Sequence, residues 1–222
     1  QFKEARSFLD ALPKPRIVVP GNHDIPLFNP VLRLCCPLSR FTRYITNDLS
    51  PQHVDDEIAV LGANTTRALI GKGGRINIEQ VEDICDRFFR LQRGQTRIVV
   101  THHPFDLPHG FSEVNLVGRS KMAMERFAEC GVDLFLSGHL HRAGTGSTAR
   151  YMIRGFSSLL VRAGTVISKR ERGEMDSFNV IRVAPPKISV QILIWQPEIC
   201  RFAHIRTRRF HGSGHGWVPQ RP

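Results

Sequence analysis

No stretch of this 222-residue chain approaches the roughly 18–20 consecutive apolar residues needed to span a bilayer. No basic-then-apolar leader opens it. The first residue is Gln1 rather than Met, so the chain is expected to start inside a longer one. No membrane partner is expected, and the expected compartment is the cytoplasm. Cysteine is sparse: five residues, at 35, 36, 85, 130 and 200, with no C-x-x-C pair. An odd number without paired spacing argues against a disulfide framework, and reduced, buried thiols are expected. Aromatic residues interleaved with basic ones, the pattern of single-strand binders, are also missing. The formal net charge is nevertheless +11. Its basic residues are scattered, with denser groups at Arg162–Arg172 and Arg201–Arg209, which suits a solvated basic surface better than a specific nucleic-acid partner.

What is present is ordinary for a folded soluble chain, with 41% hydrophobic and 23% charged residues. That length can bury a core without staples. Phe2, Ala5, Phe8, Leu9 and Leu12 recur at helical spacing until Pro13 and Pro15 stop them. Arg16–Pro20 is a short apolar run expected as a buried strand, and residues 21–56 read as irregular. Glu57–Leu61, Arg97–Thr101 and Asp133–Ser137 read as further strands. Asn77 and Gln80 form a capping box ahead of a helical face of Ile78, Val81, Ile84, Phe88 and Leu91. Met122–Cys130 reads as a helix capped by Gly131. Beyond residue 149, Tyr151–Ile153, Leu159–Arg162, Phe178–Val183 and Ile188–Trp195 suggest an antiparallel sheet. The pattern predicts one α/β (α+β) domain over residues 1–200, sheet packed on sheet with outer helices. Residues 201–222 are expected to be a basic surface tail, pinned by Trp217.

Three apolar runs end in polar loops: Gly21-Asn22-His23-Asp24, Thr101-His102-His103-Pro104 and Gly138-His139-Leu140-His141. The carboxyl edge of a parallel sheet is where sites form, so the three loops are expected to meet there. Imidazole suits Zn and Fe, and amide oxygen suits harder cations such as Mn, so the mixed set points to a metal site. Lys72, Arg75, Arg67 and Asn64 lie near the expected rim, as phosphate binders or as ordinary loop charge. His53, His109 and Asp106 in the wall loops read as solvated.

The three loops, in this order, resemble the last three motifs of the calcineurin-like metallophosphoesterase superfamily: G-N-H-D/E, a His-containing loop and G-H-x-H. Ala163-Gly164-Thr165, Gly173-Glu174 and Ser177-Phe178-Asn179 are similar to bacterial members that end in an antiparallel sheet. The resemblance implies a four-layer αββα sandwich of two mixed sheets flanked by helices. It implies a phosphoester hydrolase with two divalent or trivalent metal ions (Mn, Fe or Zn) that lower the pKa of a bound water. By the resemblance, Asn22, His102 and His139 would hold the second ion and His141 the first. His23 would contact the phosphate or protonate the leaving oxygen, and Asp24 would orient His23. His103 is the ambiguous neighbour of His102. The family's D-x-H and G-D-x-x-D/N motifs have no counterpart in this sequence. The chain is therefore expected to lack its N-terminal strand–helix–strand segment and to be inactive alone. The expected substrate is a small-molecule or nucleotide phosphoester. The alternatives are a nucleic-acid module and a non-catalytic scaffold relative.

Overall fold

The computed structural model describes residues 1–92, 94–166, 175–213 and 216–220. Gly173-Glu174 and residues 167–172 of the first basic group lie outside the described residues. In chain order the elements are α1 (Phe2–Ala11), α2 (Pro30–Cys35), α3 (Ser39–Tyr44), β1 (Gln52–Val54), β2 (Ile58–Ala63), α4 (Ile78–Phe89) and β3 (Thr96–Thr101). There follow α5 (Ser120–Glu129), β4 (Leu134–Ser137), β5 (Gly144–Ser147), β6 (Leu159–Arg162), β7 (Ser177–Ala184), β8 (Lys187–Gln196), β9 (Arg201–Ser213) and β10 (Gly216–Pro219).

Strands β2, β3, β4 and β6 are parallel neighbours in a six-stranded sheet of order β1-β2-β3-β4-β6-β5. Its edges, β1 and β5, are antiparallel, so the sheet is mixed. The central strands read as nearly continuous apolar runs because both faces of the sheet are covered. Side chains alternate between the two faces. Leu61, Val99, Phe135 and Leu160 turn toward Val81, Ile84 and Phe88 of α4 and Met124 and Phe127 of α5. Ile98, Leu134, Leu159 and Val161 turn the other way, against Ile188, Val190, Phe210 and Trp217 of the second sheet.

That second sheet, of order β10-β9-β8-β7, is antiparallel throughout rather than mixed as expected. Short connections explain this, because only a crossover of a dozen or more residues can return a strand parallel to its neighbour. The helices α4 and α5 cover the free face of the mixed sheet, so these elements stack as three layers rather than the expected four.

Several local expectations are corrected. Arg16–Pro20 belongs to no sheet. Pro15 and Pro20 remove backbone donors at its ends, which weakens any ladder it could join. The segment 21–56 carries α2, α3 and β1. Helix α2 starts as chemistry dictates, with Pro30 in its first turn and Asn29 Oδ1 accepting the Leu32 N–H at 2.9 Å. Tyr151 closes a 3-10 turn (Thr148–Tyr151) instead of starting a strand, and its hydroxyl donates to Phe105 O at 2.6 Å. Residues 201–213 and 216–219, expected as part of a tail, are the strands β9 and β10. Charge misled there: β9 holds its place by pairing its backbone with β8 and turns only a few side chains, such as Phe210, into the core. Asp106, expected in solvent, faces Arg162 at 3.4 Å and Arg150 at 3.5 Å.

The cysteines also differ from expectation. Cys35, Cys36 and Cys200 are exposed, while buried Cys85 of α4 and Cys130, the residue that follows α5, form a disulfide with Cα atoms 5.3 Å apart. Their separation of 45 residues carries no signal in the sequence; only helix packing brings them within bridging range.

Asp133 joins the layers. Its carboxylate accepts the Arg97 N–H at 2.9 Å and the Trp217 indole N–H at 3.1 Å. Burial raises its pKa, and those two donors pull it back. Asp133→Ala strands both donors and is expected to destabilise the fold by about 2–4 kcal/mol in urea unfolding. A loss under about 0.5 kcal/mol would show that water replaces the carboxylate at no cost.

Candidate metal centre

The chemistry-bearing loops meet because β3 and β4 are parallel neighbours, which sets their carboxyl ends side by side. His102 follows β3 directly, and His139 and His141 follow β4 by two and four residues. Gly138 N donates to His102 O at 3.1 Å, tying the two loops together. Asn22 arrives on a one-turn 3-10 helix, Asn22–Asp24, at the end of the unpaired segment. Asp24 closes that turn by accepting the Gly21 N–H at 2.8 Å. Burial raises the Asp24 pKa, and this bond opposes the rise. Gly21 is required by space: a Cβ there would lie 2.7 Å from His102 Cε1.

The G-H-L-H turn is unusual backbone. His139 and His141 both sit in the left-handed region, at φ 68° and 58°. Each such residue costs on the order of 1 kcal/mol, and strain of this kind clusters at functional sites. Leu140, between them, is buried. Both imidazoles line a cleft of about 430 Å³ together with Asn22, exposed His23, Lys72 and Phe111.

His102 Nε2 lies 2.9 Å from Asn22 Oδ1 and 3.3 Å from His139 Nδ1. Donors bound to one Zn-sized ion at about 2.0–2.1 Å, at tetrahedral or octahedral angles, sit about 2.9–3.4 Å from each other. The observed separations match neighbouring donors around one cation. The donor chemistry fits as well: an amide oxygen and two imidazole nitrogens gather in one place, and without a cation His102 Nε2 donates its proton to Asn22 Oδ1. Burial, and then the nearby charges of His103, His139, His23 and His141, lower the His102 pKa to about 2. The imidazole is therefore neutral and ready to bind a cation at any ordinary pH.

His103 is close enough to join a triad, since donor atoms of His102, His103 and His139 lie within 4.8 Å of one another. Its own nitrogens are committed elsewhere. Nε2 sits 3.1 Å from Lys72 O, which can only accept, so Nε2 carries the proton. Nδ1 then accepts from the Thr65 hydroxyl at 2.8 Å. His103 is thereby a buried strut between the β3 loop and the 65–75 loop, and Gly74 packs so tightly on its ring that a Cβ would overlap it. Sequence reading left His103 open and missed Thr65; an Asn-Thr pair after a strand carries no signal of a distant histidine.

This strut predicts a pH response. Burial and His139 lower the His103 pKa to about 3, against a Lys72 contact that raises it. An unfolded histidine titrates near about 6.5. The folded value lies below the unfolded one, so the stability it contributes is full above about pH 6.5 and drains away as pH falls toward the folded value. Metal-free protein should therefore melt progressively lower between pH 7 and pH 5. A flat melting temperature across that window would contradict the neutral strut.

Residues 1–143 match the family model described as calcineurin-like phosphoesterase. No curated protein matches the chain. Among solved structures it is similar to a Staphylococcus aureus protein described as a 5'-nucleotidase in complex with alpha-ketoglutarate, at 13% identity and a TM-score of 0.33, over 79% of this chain. The chain spans about 30% of the length of that protein. It is also similar to a single mutant of Vps29 from Entamoeba histolytica, at 14% identity and a TM-score of 0.29, over 56% of this chain and 88% of that one. A double mutant of the same Vps29 aligns at 12% identity and a TM-score of 0.29, over 59% and 89% of the two chains. The family match spans well over half of the sequence and contains all three histidine and asparagine loops, and the chain belongs to the calcineurin-like phosphoesterase family.

Proposed function

We propose that this chain carries half of a dinuclear centre that hydrolyses phosphoesters of a small molecule or nucleotide. The observation that carries the reading is the spacing of Asn22 Oδ1, His102 Nε2 and His139 Nδ1, which suits three donors on one cation. In this reading Asn22, His102 and His139 hold one ion and His141 contributes to the other. Bound cations of the Mn, Fe or Zn type would polarise the phosphate and lower the pKa of water beside it. His23, exposed at the mouth of the same cleft, contacts the phosphate and gives a proton to the departing oxygen. Asp24 keeps His23 in place by closing the turn that bears it. Lys72, on the cleft wall, offers the phosphate a compensating charge.

The sequence holds no D-x-H and no Gly-Asp, so one ion has three donors from this chain and the other has one. Cation binding should accordingly be strong at one position and weak at the other. The test compares this chain with a form extended at its N-terminus by a segment bearing both motifs, each assayed with Mn or Zn on an aryl phosphodiester. Turnover is expected from the extended form and little from this chain. Full turnover by this chain overturns the division of donors. Stoichiometric metal binding without turnover in either form removes the hydrolase reading and leaves a scaffold.

A further inference from the structure

Beside the histidine cleft, the same loop forms a second concavity. Arg67, Arg75 and Asn77 line a notch of about 470 Å³, with Leu34 and Leu69 on its walls. Arg119 adjoins it, because Arg75 forms a bridge with Gly118, the residue before Arg119. Among the described residues none of the three arginines is ion-paired with a carboxylate, unlike Arg87, Arg126, Arg150 and Arg162. Arg67 is held rigidly: one terminal nitrogen donates to Asn64 O at 3.0 Å and Thr66 O at 2.7 Å, the other to Gln80 Oε1 at 2.5 Å. Those partners are neutral, so they fix the guanidinium without cancelling its charge. Burial, and then the charges of Arg75 and Arg119, lower the Arg67 pKa, the mark of cations gathered without a counterion. Arg75 Nε is buried with no hydrogen-bond partner. A buried donor left unmet, beside like charges, is costly unless something binds there.

An oxyanion removes both costs. It accepts from Arg75 and balances the three charges, and guanidinium is the group best shaped to hold one. The exposed side chains of Leu34 and Leu69 would face the apolar body that carries the anion. Lys72 of the histidine cleft and Arg75 of the notch are three residues apart, so their Cα atoms can be no more than about 11 Å apart. We propose that the Arg67–Arg75–Arg119 notch is an oxyanion site that holds a second phosphate of the substrate attacked at the histidine cleft. The substrate class is then a phosphoester bearing a further phosphate on an apolar body. This assignment of the substrate rests on the hydrolase reading above; binding of an oxyanion in the notch does not.

The experiment separates the two. Metal-free protein is titrated with inorganic phosphate by calorimetry. One site is expected, weakened about tenfold or more by Arg75→Gln or Arg119→Gln and unchanged by His102→Ala. Arg67 is left intact because its bonds hold the loop, and melting curves verify that each variant folds. Absence of binding, or binding lost in His102→Ala and kept in Arg75→Gln, overturns the notch. With the metal-loaded extended form, Arg75→Gln should raise KM about tenfold for an aryl phosphodiester carrying a terminal phosphate, and leave KM unchanged for its counterpart without that phosphate. Equal effects on both substrates overturn the substrate assignment. An enzyme that turns over neither substrate removes the hydrolase reading and the substrate assignment with it, while the phosphate titration still decides the notch.

Discussion

His102→Ala is expected to weaken binding of Zn or Mn by about 100-fold or more, measured by calorimetry on this chain. Even partners that merely orient a ligand are worth about 10–100-fold in metal affinity, and His102 is the atom on which the other two donors converge. Losing it leaves Asn22 and His139 without a common neighbour. His103→Ala serves as the contrast. It should lower the melting temperature, because Thr65 and the Lys72 carbonyl lose their buried partner, and it should leave intrinsic metal affinity closer to that of the parent. Gly21→Ala tests the same geometry without removing a donor. The added Cβ would stand 2.7 Å from His102 Cε1, so the ring must shift, and metal affinity should fall while the ligand count stays the same. If His103→Ala removes the metal and His102→Ala does not, the assignment of the two neighbours is reversed.

Phe127→Ala should cost about 3–5 kcal/mol of stability, the usual range for deleting a fully buried ring. The ring is inaccessible to solvent and lies 5.5 Å from the Phe135 ring and 6.0 Å from the Phe105 ring, centroid to centroid. Those three rings join α5, β4 and the chain immediately after His102-His103-Pro104. The cavity therefore opens beneath the loop that carries the site. Chemical denaturation should show a lower midpoint with an unchanged slope, as for a loss of stability without a change in the unfolded state. Phe127→Leu, which keeps most of the volume, should cost less. A Phe127→Ala protein as stable as the parent would mean that the core collapses to fill the space, contrary to the tight packing of this cluster.

The elements whose reasons are local were legible. Asn77 and Gln80 do form the capping box that opens α4, with Gln80 Oε1 accepting the Asn77 N–H at 3.1 Å. Gly131 follows α5 at φ 64°, as a glycine cap should. The apolar runs behind β2, β3, β4, β6, β7 and β8 are strands. Two of the three polar loops, at His102 and at His139–His141, follow neighbouring parallel strands, whereas the Gly21–Asp24 loop follows a segment that belongs to no sheet. The three-layer stacking, the pairing of β9 with β10 and the disulfide were not legible, because each depends on which distant segment arrives as a neighbour. Strand β9 shows why. Its side chains read as a charged tail, but its backbone donors and acceptors needed partners, and β8 offered an open edge.

By itself, the sequence determined the family and the residues that carry its motifs, since helix and strand periods and short loop motifs are written within a few residues of one another. It determined as well that D-x-H and Gly-Asp donors do not come from this chain. Tertiary structure alone separates the surroundings of His102 and His103. Their identical side chains, adjacent in sequence, point to different surroundings, one toward Asn22 and His139, the other toward Thr65 and Lys72. It also decided that Arg67 and Arg75 share one notch, with Arg119 beside it. Charge and hydrogen-bonding capacity belong to single residues, but what they can bind depends on distances set only when the loops from β2, β3 and β4 pack together.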